Sequence, residues 1–266
     1  MSLTILKLIA YITMLIDHVG YATGNIYMRM IGRIAFPIFA YLIASGYVNT
    51  KNKKKYALNL LVIGIVSEIP YDLFINSSLF YPQSQNVMFT LLFGLFAIMV
   101  LDKITDIFKI FYRKYKEKYK EKFDEKKDID KITEENNIKK DKEKIVENKQ
   151  EIIKLLFLFP LLFLLIFIPQ LLHFDYGMLG VILIVLFHLS KNKPFGIGIS
   201  LIVFNILRFF ISAISSWTII SFISILTTPF LLFVKKTEKP KHYKFFKIIS
   251  YLFYPAHQLI LYFIFK

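Results

Sequence analysis

Outside residues 102–151 this chain carries only five acidic side chains, and four of them, Asp17, Glu68, Asp72 and Asp175, sit inside or at the edge of long apolar runs. A carboxylate at such a position in a bilayer is costly unless it has a partner, so it marks a polar site by default. The chain therefore reads as an all-α, polytopic membrane helix bundle of about nine transmembrane helices. Its function is expected where the buried polar groups collect.

Composition agrees with that reading. Hydrophobic residues make up 56% of the 266 residues, with 28 Phe and 16 Tyr. At about 20 apolar residues per crossing, the chain has room for roughly eight to ten spans. The absence of Cys excludes disulfides, thiolate metal sites and a Cys nucleophile. The first apolar run, Leu3 to Ala22, contains Asp17-His18 and lacks a small-residue cleavage site, so it reads as a retained helix rather than a leader. A net charge of +15 suggests nucleic acid at first sight, but its distribution argues otherwise. Residues 102–151 hold 16 Lys/Arg against 14 Asp/Glu, and the remaining excess lies in short clusters between apolar runs. That is how topology signals are placed, and no aromatic-interleaved basic face is present, so no nucleic-acid partner is expected.

The apolar runs predict spans at 3–22, 31–48, 56–74, 87–105, 152–169, 176–190, 195–213, 217–234 and 248–265. Lysine-rich loops (49–55, 102–151, 191–193 and 235–247) alternate with lysine-poor ones. The positive-inside rule then puts the N-terminus in the cytoplasm of a multi-pass cell-membrane protein and the C-terminus outside. Pro169-Gln170 leaves open a kink instead of an exit at 170–175. The expected organisation is N-terminal transmembrane helices over 1–101, a charged cytosolic insert over 102–151 and C-terminal transmembrane helices over 152–266. In the insert, Ile104, Ile107, Phe108, Phe111, Tyr112, Tyr115 and Tyr119 recur at helical spacing among lysines. The fourth span thus runs on as an amphipathic helix, followed by either a solvated helix pair or a disordered segment.

With this topology the ionisable groups collect toward the outer ends of the spans. Asp17 and His18 close the first span, and Arg29 and Arg33 open the second, four residues apart on one helical face. Glu68 and Asp72 have the same spacing, with Pro70 between them to break the helix and free a carbonyl. Gln85-Asn86, His173 with Asp175, Arg208 and His257 complete the set. Structural readings stand beside the functional ones: a plain ion pair of Arg33 with Asp17 or Glu68, a helix-end pair at Glu68-Asp72, a turn residue at Asp175. His188 and His242 read as structural. His18 stands out, because an acid neighbours it in an apolar segment and imidazole suits proton transfer near neutral pH. No His sits at metal-ligand helical spacing, so no metal is expected.

Several ordered motifs run through the membrane part. They are Lys7-Leu8-Ile9-Ala10 with Met14-Leu15-Ile16-Asp17-His18-Val19-Gly20, Arg29 to Ala40, and Ser67-Glu68-Ile69-Pro70-Tyr71-Asp72. Gln85 to Leu91, Asp175-Tyr176-Gly177 and Tyr254-Pro255-Ala256-His257 follow. Together they resemble the TraX family, membrane proteins of conjugal-transfer systems associated with N-acetylation of pilin. The charged insert departs from that family's compact pattern. The resemblance implies a membrane acyltransferase, an acetyltransferase in kind, that moves an acyl group from cytosolic acetyl-CoA to an amine or hydroxyl acceptor at the outer face. The acceptor, whether peptide, glycan or small molecule, is not specified by the sequence. Acyl transfer to an amine or hydroxyl needs a base and oxyanion donors. His18 oriented by Asp17 suits the base, with Arg33, Glu68 and Asp72 in one connected catalytic cluster. Asn86, Asp175, Tyr254 and His257 are expected to line the substrate path. Lys51, Lys53, Lys54 and Lys55 either hold CoA phosphates or serve only as topology signals. A proton-coupled transporter or flippase, relaying protons through the same acids and histidines, is the alternative.

Overall fold

The computed structural model describes residues 2–124, 134–190, 193–211, 220, 222–234 and 243–266. Every element named among them is helical. The chain winds through α1 (Leu3–Thr23), α2 (Ile26–Gly32), α3 (Ala35–Asn49), α4 (Lys53–Asn76), α5 (Val87–Asp124), α6 (Glu134–Leu171), α7 (Gly177–Leu189) and α8 (Pro194–Ile211). A 3-10 turn over Phe222–Thr227, the short α9 (Thr228–Leu232) and α10 (Tyr243–Phe265) complete it.

The starts of these helices are written locally. Ser2, Asn25, Asn52 and Asn86 each turn a side-chain oxygen onto backbone N–H groups of the first turn of α1, α2, α4 and α5, which satisfies donors a helix start leaves open. Gly24, at φ +69°, ends α1 in the left-handed conformation that glycine adopts without strain.

Among the described residues six helices are long and apolar enough to cross a membrane: Leu3–Thr23, Ile26–Asn49, Lys53–Asn76, Val87–Lys116, Lys149–Leu171 and Ile248–Phe265. Gly177–Leu189, Phe195–Ile211 and Phe222–Leu232 are apolar but shorter. Large apolar side chains point outward along whole faces, as Ile5, Leu8, Ile12 and Leu15 do on α1 and Leu58, Leu61, Val62, Ile65 and Ile69 on α4. Apolar faces of this size need a non-aqueous neighbour. The chain thus reads as a multi-pass helical membrane protein.

Three details differ from the sequence reading. The expected second span is interrupted at Arg33-Ile34, between α2 and α3. α4 continues through Pro70 to Asn76, packed against α10 where an isolated peptide would break. The expected span 217–234 is represented by the 3-10 turn and α9. Residues 212–219 and 221, the lysines of 235–242 and the insert centre at 125–133 lie outside the described residues.

The described chain divides into two units, residues 1–98 with 165–266, and residues 99–164. In the first unit, Tyr11 of α1 meets Ser250 and Phe253 of α10, and His18 meets His257. Asn59 of α4 meets Tyr251, and Ser77 meets Lys266. Helices α1, α4 and α10 therefore run parallel. α3 and α7 also run parallel to each other, through Phe36–Tyr176, Tyr41–Phe187 and Tyr47–His188. In the second unit, Phe108 of α5 packs edge-on against Phe159 of α6.

Candidate functional site

The polar groups of the first unit gather at the end where α1 and α4 finish and α5 and α7 begin. Two loops are tied together there. Gln85 N–H donates to the His173 carbonyl (3.1 Å), Asp175 N–H donates to the Gln85 carbonyl (2.9 Å), and the buried Thr90 hydroxyl donates to the Asp175 carbonyl.

Asp17 lies between two arginines. Arg29 Nη1 donates to its Oδ2 at 2.6 Å, and Arg33 Nη2 donates to its Oδ1 at 2.7 Å. All three side chains are largely withdrawn from solvent, 13% exposed for Asp17 against 19% and 11% for Arg29 and Arg33. α2 can approach α1 this closely because position 32 is glycine. A Cβ there would fall on the Asp17 carboxylate.

His18 belongs to a different group. Its Nδ1 lies 2.7 Å from His257 Nε2, with ring planes 5° apart and centroids 4.9 Å apart. That combination sets the rings edge to edge in almost one plane, as an in-plane hydrogen bond requires, rather than face to face. His257 Nδ1 lies 2.8 Å from the Phe253 carbonyl, which can only accept. For neutral rings the tautomers follow from this network. His257 carries its hydrogen on Nδ1 and accepts at Nε2, and His18 donates from Nδ1. The lone pair of His18 Nε2 remains free for a proton. The pair arises because Tyr11 and His18, seven residues apart on α1, face Ser250 and His257, seven apart on α10. The charges of Arg29 and Arg33 reach the His18 ring.

This arrangement corrects two expectations. Asp17 does not orient His18. Neighbouring residues on a helix point about 100° apart, and Asp17 is taken up by the arginines. Nor do Asp17, His18, Arg33, Glu68 and Asp72 form one hydrogen-bonded cluster. Glu68 Oε1 accepts from Asn86 N–H (2.9 Å) and Nδ2 (2.5 Å), and Asn86 Nδ2 also donates to the Gly64 carbonyl. Asp72 Oδ2 accepts from Tyr81 N–H at 2.7 Å, and its Oδ1 faces Asn76. These groups pin the 77–86 loop and the start of α5. Asn86 is fully buried with its amide committed, which leaves it no donor for an oxyanion.

Asp175, just before α7, keeps part of its surface open to solvent although protein atoms crowd around it. Burial pushes its carboxyl above the usual carboxylate range, and Arg33 beside it pulls back. Tyr71 and Tyr254 lie within reach of its charge. Tyr176, next in sequence, stacks on Phe36 at 3.7 Å between centroids and lies under Arg208 at 5.8 Å. Burial raises the Tyr176 hydroxyl as well, again opposed by Arg33.

Thr90 and Gln258 have no place in the expected site, and Arg208 is expected at the same end without a role; the structure brings all three to the site or close by. Gln258 is fully buried, and among the described residues neither end of its amide meets a hydrogen-bond partner in good geometry; the same holds for the Ser67 hydroxyl. Arg208 had a signal, a lone cation in an apolar run. Gln258 had only its place one residue beyond His257. The lysines Lys51, Lys53, Lys54 and Lys55 are exposed at the start of α4, with Lys53 Nζ 2.9 Å from the Tyr47 hydroxyl. Fifteen residues of helix separate Lys53 from Glu68, about 22 Å. A surface cavity of about 480 Å3 in the second unit, lined by Thr105, Phe108, Lys109, Tyr112 and Arg113, holds none of the expected site residues. Among the described residues no group of three or more His, Asp or Glu is arranged to hold a metal ion.

The family profile described as TraX protein matches residues 2–112. A curated relative from Dichelobacter nodosus, named "Probable fimbrial assembly protein FimC, serogroup H1", is 30% identical over 108 residues. That alignment covers 36% of this chain and 44% of the relative, so the chain spans less than half the length of the relative it matches. No solved structure matches the chain. The matched residues carry Asp17, His18, Arg29, Arg33, Glu68, Asp72 and Asn86, while Asp175, Arg208, Tyr254 and His257 lie beyond them. Over residues 2–112 this chain is similar to the TraX family.

Proposed function

We propose that the protein is a membrane acyltransferase in which His18 is the general base, taking acetyl-CoA as donor and an amine or hydroxyl as acceptor. The observation that carries this reading is the His18–His257–Phe253 chain, which leaves His18 Nε2 unprotonated and unbonded inside the bundle. In acyl transfer the acceptor's N–H or O–H proton passes to Nε2 as its heteroatom attacks the thioester carbonyl. The thiolate of CoA departs with the electron pair of the broken C–S bond. His257, anchored to a backbone carbonyl, keeps the His18 ring in its plane and tautomer. Arg33 and Arg29 supply positive charge near the ring. The cytosolic placement of Lys51, Lys53, Lys54 and Lys55, with the N-terminus inside, belongs to this proposal, as does a count of nine crossings.

The test is purified protein with radiolabelled acetyl-CoA and a membrane fraction as acceptor source. His18→Ala should lower acyl transfer by about 10² to 10⁴, the value of a positioned base, while acetyl-CoA binding persists. Retention of near-normal transfer would end the assignment. If acetyl-CoA is neither bound nor consumed by the wild type, the transporter reading gains, and proton flux through reconstituted vesicles becomes the measurement.

A further inference from the structure

We propose that the face of α5 carrying Thr105, Phe108, Lys109, Tyr112, Arg113 and Lys116 seats an anionic phospholipid of the adjoining leaflet, with its acyl chains along the helix and its phosphate on Arg113 and Lys109. The inference stands on the second unit and does not rest on the acyl-transfer reading.

These residues recur at helical spacing of three and four, so they share one side of α5. All of them are exposed, whereas Ile104 and Ile107 on the other side are buried. The first five line the surface cavity of about 480 Å3 on this unit. Their order along the helix follows the polarity of a lipid. The apolar run that opens at Val87 meets its first charge at Asp102. About 20 residues cross the hydrocarbon, which brings its edge near Asp106. Phe108 and Tyr112 then stand at the interface, where aromatic rings are favoured. At 1.5 Å per residue, Lys109 lies about 5 Å and Arg113 about 10 Å beyond that edge, where headgroups begin and end.

The positive charge here is not cancelled nearby. Among residues 99–116 and 149–164, whose side chains are described, seven Lys/Arg stand against three acids, Asp102, Asp106 and Glu151. Residues 117–148 add ten lysines and eleven acids, a difference of one. Asp106 pairs with Lys109 at 2.8 Å, and Glu151 with Lys154 at 2.6 Å. The first pair is 68% and 65% exposed, so water screens it and a phosphate can take Lys109 over. Among the described residues no hydrogen bond or ion pair engages Arg113 or Lys116. Cations beside a leaflet draw anionic lipids to them, and the fork of Arg113 matches the paired oxygens of a phosphate.

The experiment is native mass spectrometry of the full chain, released from neutral micelles that hold phosphatidylglycerol and phosphatidylcholine in equal amounts. The wild type should retain phosphatidylglycerol over phosphatidylcholine by about fivefold or more, the attraction of one cation near a leaflet surface. Arg113→Gln should lower that preference to about twofold, and Lys109→Gln/Arg113→Gln should abolish it. Arg113→Lys, which keeps the charge but not the fork, should fall between wild type and Arg113→Gln. Lys103→Gln is the control. Lys103 is exposed on the opposite side of α5, so its loss removes the same charge from the same helix and should leave the preference at the wild-type value. The substituted side chains are all exposed, and far-UV circular dichroism should show the helix content of wild type in each variant. Equal retention of the two lipids by the wild type overturns the proposal. So does a loss in Lys103→Gln as large as that in Arg113→Gln, which would make the attraction one of general charge without a seat. A dimeric mass that Arg113→Gln converts to a monomer also overturns it, because the face would then belong to a second copy of the chain.

Discussion

Asp17→Asn keeps the shape of the side chain and removes the one charge that two arginines share. Wild type holds two guanidinium groups against one carboxylate; the variant leaves two cations facing a neutral amide, with exposures of 19% and 11%. Removing one partner of a buried ion pair costs about 3–5 kcal/mol, mostly from the charge left behind. The residual exposure admits some water, so the low end applies, about 3 kcal/mol or roughly a hundredfold in the folding equilibrium. Arg29→Gln behaves differently. It leaves Arg33 and Asp17 as a balanced pair, and its cost should be about 1 kcal/mol, the net worth of a hydrogen bond to a charged group after partial screening. The double variant Asp17→Asn/Arg29→Gln has one cation, rather than two, facing the neutral amide. It should therefore be more stable than Asp17→Asn alone, by about 1 kcal/mol or more. Denaturation in mixed detergent micelles, followed by far-UV circular dichroism, measures all four proteins. If Asp17→Asn is no worse than Arg29→Gln, or if the two losses simply add, the shared-carboxylate account is wrong.

The other predictions concern the histidines, the loop anchors and the topology. His257→Asn offers an amide oxygen to His18 Nδ1–H and should keep more acyl transfer than His257→Ala, which offers nothing; equal loss in both would show that the hydrogen bond does not set the His18 tautomer. Glu68→Gln retains an acceptor for the Asn86 N–H and should change stability little. Glu68→Ala leaves buried donors unpaired and should cost about 1–3 kcal/mol, and a loss of activity in Glu68→Gln with intact stability would instead put this acid in the chemistry. Reporter fusions at Lys51 and Lys266 should report opposite sides of the membrane. The parallel courses of α1, α4 and α10 require Lys51 at one end of the bundle and Lys266 at the other, and a same-side result would refute that arrangement.

Much of the frame was legible one segment at a time, because its causes are local. Apolar runs of span length predict the crossing helices, and Asn25, Asn52 and Asn86 mark starts with an acceptor that a first turn needs. The cost of charge in hydrocarbon identifies Asp17, Arg33, Glu68 and Asp175 as residues that need partners. Which partner each takes was not legible. Asp17 and His18 are adjacent in sequence, yet the helix turns them apart, one to arginines 12 and 16 residues on and the other to a histidine 239 residues away. Pro70 reads as a helix break, and packing of α4 against α10 carries the helix through it. The apolar run 31–48 reads as one rod, and the approach of α2 to α1 at Gly32, with Arg33 turned onto Asp17, divides it. Length, hydropathy and capping act over a few residues and are written in order along the chain. The pairing of a buried charge or an imidazole depends on which helices meet and in what register, and only the folded bundle decides that.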